Sequence, residues 1–377
     1  MTEPRHCHLE FLLSLLVTGV QPTLADDNDW HYGGYADISY VNDLGGNREI
    51  DWRNKLTTRN LNAVDPNMGM VYLSKVPSAT SPWGMELGAQ AGLDVDAQMP
   101  TERNETIPGA DIIKNISRAN ISYRAPLGNG LKLTAGLMNS FIGFESMYAR
   151  LNPNYTRAWI ADYSPYFLIG AGGEYAFSET LSTGFYLLSD YDYLSFNGQQ
   201  PKYGGQVVWH FSPDWSLTQN IYFGPEQNHS QIDYWRGFSD TQIKWSNDVL
   251  MITLGFDAGT EKRATTGLQT LWMGSALWTH WQINGPWSLA FRPELYWDPD
   301  GELTGSRQFI YAFTTTAEYL LEAGPASVAL RTEFRHDTST GKDGGFFNPT
   351  QTGPSLVSGQ NLFFISLLWA YDSTHTQ

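Results

Sequence analysis

One long segment of the chain, SFIGFESMYARLNPNYTRAWIADYSPY at residues 140–166, combines charged side chains with many apolar ones. Its acidic and basic candidates are Glu145, Arg150, Arg157 and Asp162. Guanidinium and carboxylate groups that ring a narrow passage select ions by charge. The chemistry predicted for this segment is therefore electrostatic filtering of solutes, with no covalent step.

A second set of charged residues lies in stretches where polar and apolar residues alternate. In ASVALRTEFRH, for example, Arg331, Glu333 and Arg335 are spaced two apart. Residues at this spacing share one face of a strand. The charged positions that we expect on the same surface as the long segment are Arg118, Arg124, Arg292, Glu294, Arg331, Glu333 and Arg335.

The elements that must position these charges are strands. After Asp26, alternation recurs in sixteen runs of about ten residues, from Tyr32–Asn42 to Asn361–Tyr371 and including Trp83–Val95. Charged residues are 16%, aromatic residues are 14%, and mean hydropathy is −0.34. Such a composition is expected when every second residue faces lipid and the others face water. The sequence predicts an all-β transmembrane antiparallel barrel of about 16 strands, within a range of 14–18.

Short and long connections alternate between the runs. The short ones are turn sequences such as PLGNG, SET, SPD and NGP, and the long ones range from about ten to 27 residues. Outer-membrane barrels have short periplasmic turns and longer extracellular loops. Residues 140–166 are then the third extracellular loop. Their apolar content predicts that they fold into the lumen, and a packed cap over the mouth is the alternative.

Aromatic residues flank the short turns, as Trp281 and Trp287 flank NGP, and this predicts the interface girdles of a membrane barrel. In the run GPWSLAFRPELYWD, Arg292 and Glu294 face the lumen, because a charge facing lipid costs about 2–4 kcal/mol. Pro293 has no amide hydrogen to give to a neighbouring strand. We therefore predict a bulge or a lost ladder bond there.

The two ends and the overall charge add further expectations. Residues 1–25 have the apolar core FLLSLLVTGV and predict a secretory signal cleaved before Asp26, which leaves residues 26–377 as the barrel. The only cysteine, Cys7, would be lost with it. The net charge of −16 argues against binding to nucleic acid. Acidic residues in the loops either bind cations that bridge lipopolysaccharide or are simply solvated.

The sequence offers no convincing catalytic or metal-binding constellation. Asn228, His229 and Ser230 are adjacent in a loop, whereas a hydrolytic triad needs its members to converge with an oriented base. His280 lies in a strand without a second histidine at ligand spacing. We expect no enzymatic activity, no metal and no cofactor.

The loop sequence GFESMYARLNPNYTRAW, together with the alternating strands and the export signal, resembles the OmpL-like outer-membrane β-barrel porins. That family has a G-x-E segment followed by an N-x-N-[YF]-[ST]-[RK]-like segment. The matching residues here are Gly143, Glu145, Asn152, Asn154, Tyr155, Thr156 and Arg157. The tail at residues 372–377 departs from the aromatic end that many outer-membrane barrels carry for recognition by the assembly machinery.

These observations predict a passive, water-filled channel for small hydrophilic solutes in the outer membrane of a Gram-negative bacterium, surrounded by lipid and lipopolysaccharide. The arginines on the wall predict no strong preference for cations. A homotrimer is suggested by analogy with other sixteen-stranded porins. The alternatives are a carbohydrate-binding β-sandwich and a structural or adhesive barrel with a plugged lumen.

Overall fold

The computed structural model describes residues 30–45, 52–99, 105–196, 200–226, 234–263, 265–341, 346–347 and 356–376. The predicted export signal, residues 1–25, and the segment 228–230 lie outside these ranges. Within them, no helix has the length and apolar character needed to cross a membrane.

Sixteen antiparallel strands form a closed barrel, which confirms the predicted fold class. The first and last strands pair with each other, so the barrel leaves no open edge toward lipid. A separate two-stranded sheet joins β4 (Glu105–Thr106) to β9 (Ser195–Phe196). The barrel strands are β1 (Trp30–Asp43), β2 (Val64–Lys75), β3 (Trp83–Ala91), β5 (Ile116–Ala125), β6 (Leu131–Asn139), β7 (Phe167–Ala176), β8 (Leu181–Leu188), β10 (Lys202–His210), β11 (Trp215–Pro225), β12 (Trp235–Ser246), β13 (Leu250–Lys262), β14 (Gln269–Asn284), β15 (Trp287–Asp298), β16 (Gln308–Ala323), β17 (Ala326–Ser339) and β18 (Gly359–Asp372).

In the described parts of the connections, the only helices are short. These are the 3-10 helices Leu93–Gln98, Ala149–Leu151 and Ser373–Thr376 and the α-helices Ala110–Ile113 and Trp159–Asp162. The predicted strand Trp83–Val95 is too long, because the chain leaves the sheet at Gly92, whose φ is 135°. Asp94 therefore lies in a 3-10 helix and not on the wall. The segment 140–166, called the long loop below, joins β6 to β7 with the predicted bounds.

Alternation gives the barrel wall a polar inner face and an apolar outer face. On β15, Arg292 and Glu294 point inward and are buried, whereas Phe291 and Leu295 are 45% and 44% exposed on the outside. Large exposed aromatic side chains also lie beside the short turns, including Trp209, Phe211, Trp215, Trp281 and Trp287. This arrangement matches the predicted girdles.

Two of the short turns are Gly-Pro pairs that need a left-handed first residue. Gly285 and Gly324 have φ values of 54° and 61°, and each is followed by a proline. Glycine at the first central position fits the type II′ geometry that follows the twist of a hairpin. These turns set the β14–β15 and β16–β17 registers, on which the charged positions below depend.

Pro293 interrupts the sheet on one side only. Toward β16 the ladder is continuous and pairs Pro293 with Phe313. Toward β14 the pairs stop at Ala276–Glu294 and resume in the same register at Thr279–Phe291. At the edge of this gap, the hydroxyl of Thr279 exchanges hydrogen bonds with the Phe291 backbone, at 3.0 and 3.1 Å. The predicted lost ladder bond is thus confirmed, without a bulge at this position.

Buried apolar side chains form two clusters, and the long loop contributes to both. The first includes Phe144 and Trp159 of the loop with Trp278 of the wall. The second includes Tyr148 and Tyr155 of the loop with Phe364 of the wall. The loop therefore packs on the inward-facing side chains of the strands.

If the outer face contacts lipid, a charged side chain there should destabilise the barrel more at the middle of a strand than at its end. Phe291→Arg should lower the free energy of unfolding by about 2–4 kcal/mol, and Val249→Arg beside a short turn by about 0–1 kcal/mol. Both side chains are similarly exposed, at 45% and 49%. Denaturant titration in lipid vesicles, followed by tryptophan fluorescence, measures the difference, and equal effects would contradict the lipid-facing assignment.

Candidate functional site

The inner faces of β15, β16 and β17 carry two adjacent rows of side chains with opposite charge. The middle strand supplies a small residue to each row, so long side chains from β15 and β17 can meet across it. In the strand register, the rows are Arg292–Thr314–Arg335 and Glu294–Ala312–Asp337.

Glu294 joins the two rows. Its Oε1 lies 3.3 Å from Nε of Arg292 and 3.0 Å from Nη2 of Arg335. Arg335 also pairs with Asp337 at 2.9 Å. Both arginines are 0% exposed. Because an unpaired buried charge is strongly destabilising, these side chains depend on one another.

The long loop adds its own carboxylate and backbone donors to this group. Glu145 accepts a hydrogen bond from Nη1 of Arg292 at 2.7 Å and another from the Ala158 amide at 2.6 Å. The Trp159 amide donates to Glu294 at 2.6 Å, and its indole N–H donates to Asp337 at 2.9 Å. The loop is therefore fastened to both β15 and β17.

Glu333 holds the middle of the loop. Its carboxylate accepts the backbone amides of Tyr155 and Thr156 at 2.6 and 3.0 Å and the Thr156 hydroxyl at 2.5 Å. The hydroxyl of Thr316 on β16 donates a fourth hydrogen bond to Glu333 at 2.6 Å. The same hydroxyl accepts a hydrogen bond from the side-chain amide of Asn154 at 2.7 Å. The N-x-N-Y-T segment noted in the sequence is thus the part that docks on the wall.

Arg157 and Asp162 connect the long loop to two other loops. Nη2 of Arg157 lies 3.1 Å from Asp94, in the β3–β5 connection. Asp162 forms an ion pair with Lys55 and accepts a hydrogen bond from Thr57 at 3.0 Å, both in the β1–β2 connection. Three connections therefore meet at these two residues.

Two tryptophans, Trp52 and Trp159, cover the cationic groups of Lys55 and Arg335. The ammonium of Lys55 lies 5.3 Å from the Trp52 ring and 5.1 Å from the Trp159 ring. The guanidinium of Arg335 lies 4.9 Å and 5.9 Å from the same rings. Cation–π attraction is strongest away from water, so the two indoles both shield and stabilise the charges.

Burial changes the pKa of the loop groups in different directions. Burial lowers the pKa of Lys55, and the attraction of Asp162 opposes this only in part. For Asp162, burial acts to raise the pKa, but Lys55, Tyr166 and Arg157 together outweigh it and the pKa falls below its usual value. Burial raises the pKa of Asp94 to about 7, despite the nearby Arg157.

The sequence-predicted site residues fall into three sets. Most join the network just described, namely Glu145, Arg157, Asp162, Arg292, Glu294, Glu333 and Arg335. Arg331 and Arg150 lie 2.6 and 4.0 Å from Glu318 and form a second group. The third set, Arg118 and Arg124, belongs to neither group. Arg118 lies 3.8 Å from Glu86, and Arg124 donates a hydrogen bond to the Asn129 carbonyl in a turn.

The filtering of solutes by these charges stays a prediction. The charges of the main network are buried and paired, so they attach the loop to the wall. Sequence reasoning missed Lys55 and grouped Asp337 with the acidic loop residues, although Asp337 continues the alternation of Arg331, Glu333 and Arg335 along β17. Lys55 lies in a connection where polar and apolar residues do not alternate, so the sequence did not indicate a role for it. No set of three or more His, Cys, Asp or Glu that could hold a metal occurs in the described ranges.

We expect Glu294→Gln to leave two buried arginines undercompensated. The free energy of unfolding should fall by about 3–5 kcal/mol, the range for breaking a buried ion pair. The control is Asp96→Asn, whose side chain is 45% exposed and lies 3.7 Å from Arg59, itself 40% exposed, and it should cost about 1 kcal/mol or less. Denaturant titration of both variants in vesicles tests this, and a loss below about 1 kcal/mol for Glu294→Gln would refute the attachment role.

Asp94 should make stability depend on pH in a defined direction. Its folded pKa, about 7, exceeds that of an unfolded aspartate, so the folded state holds the proton over the interval between them. Its contribution to stability therefore falls as pH rises from about 4 to about 7 and is constant above. The difference in unfolding free energy between wild type and Asp94→Asn should follow this course, and a flat difference would contradict it.

Solved structures similar to this chain are barrels of the same kind. OmpF from Salmonella typhi matches with a TM-score of 0.59 and 9% identity, covering 91% of this chain and 97% of its own. The anion-selective porin from Comamonas acidovorans matches with a TM-score of 0.56 and 11% identity, covering 91% of this chain and 99% of its own. The outer-membrane channel DcaP from Acinetobacter baumannii matches with a TM-score of 0.55 and 10% identity, covering 92% of this chain and 98% of its own. At these identities the likeness shows the fold alone.

Comparison with curated proteins finds no match. Residues 30–370 do match the family described as "Putative beta-barrel porin-2, OmpL-like". The match extends from the first barrel strand almost to the end of the last one. The chain therefore belongs to the OmpL-like β-barrel porin-2 family.

Proposed function

We propose that this protein is a passive porin whose long loop narrows a water-filled channel for small hydrophilic solutes. Membership of the family and the closed barrel support an outer-membrane porin in a Gram-negative bacterium. The observation that carries the constriction is the buried ion pair between Glu145 of the loop and Arg292 of β15, at 2.7 Å. A loop fastened in this way has a fixed position against the wall.

The passage that we propose runs between the long loop and the opposite side of the barrel. In the circular strand order, β7 lies opposite β16. On β6 and β7, Lys132 and Glu174 face inward, form an ion pair at 3.3 Å and retain partial exposure. This pair is neutral overall. It supports the expectation that the channel has no strong preference for cations.

The outer face of the barrel supports a proposal about the environment of the protein. Its exposed apolar and aromatic side chains fit a lipid environment that includes lipopolysaccharide. A homotrimer remains a prediction by analogy with sixteen-stranded porins. An enzymatic role is not part of the proposal, since the buried carboxylates described above are engaged in attaching the loop.

Planar bilayers provide the test of the channel. The purified protein should give stepwise conductance, and deletion of residues 146–153 should raise the single-channel conductance at least twofold, because it removes part of the constriction. Heat-modifiable migration in mild detergent confirms that each protein is a folded barrel.

The outcomes separate the alternatives. No steps from either folded protein would overturn the channel. Steps from the deletion variant alone would identify a plugged structural barrel. Equal conductance of the two proteins would show that the loop does not limit the passage.

A further inference from the structure

Arg150 is a buried arginine of the long loop whose donors are not all used. Its side chain is 7% exposed, and its Nε and Nη2 atoms have no hydrogen-bond partner among the residues that the structure describes. The nearest carboxylate, that of Glu318, is 4.0 Å from Nη1. Buried donors of a charged group are rarely left unsatisfied, and such a group calls for a partner such as a bound ion.

Arg157 of the same loop shows what a satisfied arginine looks like here. It pairs with Asp94 at 3.1 Å and donates to the Tyr155 carbonyl at 3.1 Å. Burial acts to lower its pKa, but Asp94 and other neighbours outweigh this and raise it. For Arg150, burial lowers the pKa and Glu318 compensates only in part. The positive charge of Arg150 is therefore the undercompensated one.

The carboxylate near Arg150 is already occupied. Nε of Arg331 lies 2.6 Å from the same Glu318 oxygen, and Nη1 of Arg331 donates to the Ala149 carbonyl at 2.8 Å. Glu322, the next inward acidic residue on β16, is exposed near the turn and interacts with Arg150 only electrostatically. Two arginines thus share one close carboxylate.

His280 on β14 completes the group. Within the described part of the chain its Nδ1 also has no hydrogen-bond partner, and it lies within electrostatic range of Arg150, Arg331 and Glu318. Between His280 and Glu318, β15 contributes only Ser288 and Ala290, which pair with Glu318 and His280 in the register. Small side chains at these two positions leave the polar groups facing each other across β15.

We propose that Arg150, Arg331 and His280 form a binding subsite for the oxyanion group of a solute, a carboxylate or a phosphate. Arginine binds both groups through two parallel hydrogen bonds, and the unused Nε and Nη2 donors of Arg150 form such a fork. The subsite rests on the proposed porin function, because the solute reaches it through the channel. It gives the channel affinity for small anionic solutes.

Single-channel recording with inorganic phosphate and with succinate as probes tests the subsite. In wild type, each probe added to a KCl solution should interrupt the current in a saturable manner. Arg150→Gln should weaken this block at least tenfold, and Arg150→Lys, which keeps the charge and loses the fork, about threefold. Arg124→Gln, which removes the same charge from an exposed turn, should change it less than twofold.

The results distinguish the two proposals. Absence of conductance in every folded protein would overturn the porin function itself. Normal conductance with the same block in wild type and Arg150→Gln would overturn the subsite alone. Heat-modifiable migration of each variant shows that a lost block does not come from a lost barrel, and the larger effect between phosphate and succinate identifies the preferred group.

Discussion

The pairing of Glu294 with Arg292 and Arg335 is the interaction on which the attachment of the long loop depends. Two guanidinium groups that are withdrawn from water need compensation, and the wall alone gives them Glu294 and Asp337. The loop supplies the rest through the Glu145 carboxylate, which pairs with Arg292, and the Arg157 carbonyl, which accepts a hydrogen bond from Arg335 at 3.0 Å. Burying the arginines and docking the loop are therefore one event, since neither is favourable without the other.

The barrel makes this pairing possible through side-chain size as well as charge. Thr314 and Ala312 on β16 stand between the charged strands, and a longer residue at either place would separate Arg335 from Glu294. Apolar packing of the loop on the same inner surface excludes water. Electrostatic attraction is stronger where water is excluded, so the apolar contacts reinforce the ion pairs.

The sequence predicts the strands well because alternation and turn residues are local signals. The sixteen crossings, the bounds of the long loop and the lost ladder bond at Pro293 all follow from such signals. The site is predicted less completely, because alternation gives the face of a residue but not its depth or partners. Arg118 and Arg124 share a strand and a face, yet only Arg118 is buried, and Arg124 ends at a turn. The meeting of Lys55, Asp94 and the long loop depends on tertiary contacts that no spacing records.

The distribution of charge explains why the acidity of the chain need not govern the channel. A carboxylate held against an arginine at about 3 Å forms a short dipole, whose field falls off much faster with distance than that of an isolated charge. Glu145 of the loop and Glu294 and Asp337 of the wall are held in this way where the loop meets the wall. The field that a solute meets is therefore set by the few charges without a close partner and by those near water. An exposed loop carboxylate acts through solvent that screens it over about 8–10 Å. Net charge then describes the whole surface, whereas in the channel that we propose local imbalance among inward-facing residues controls the passage.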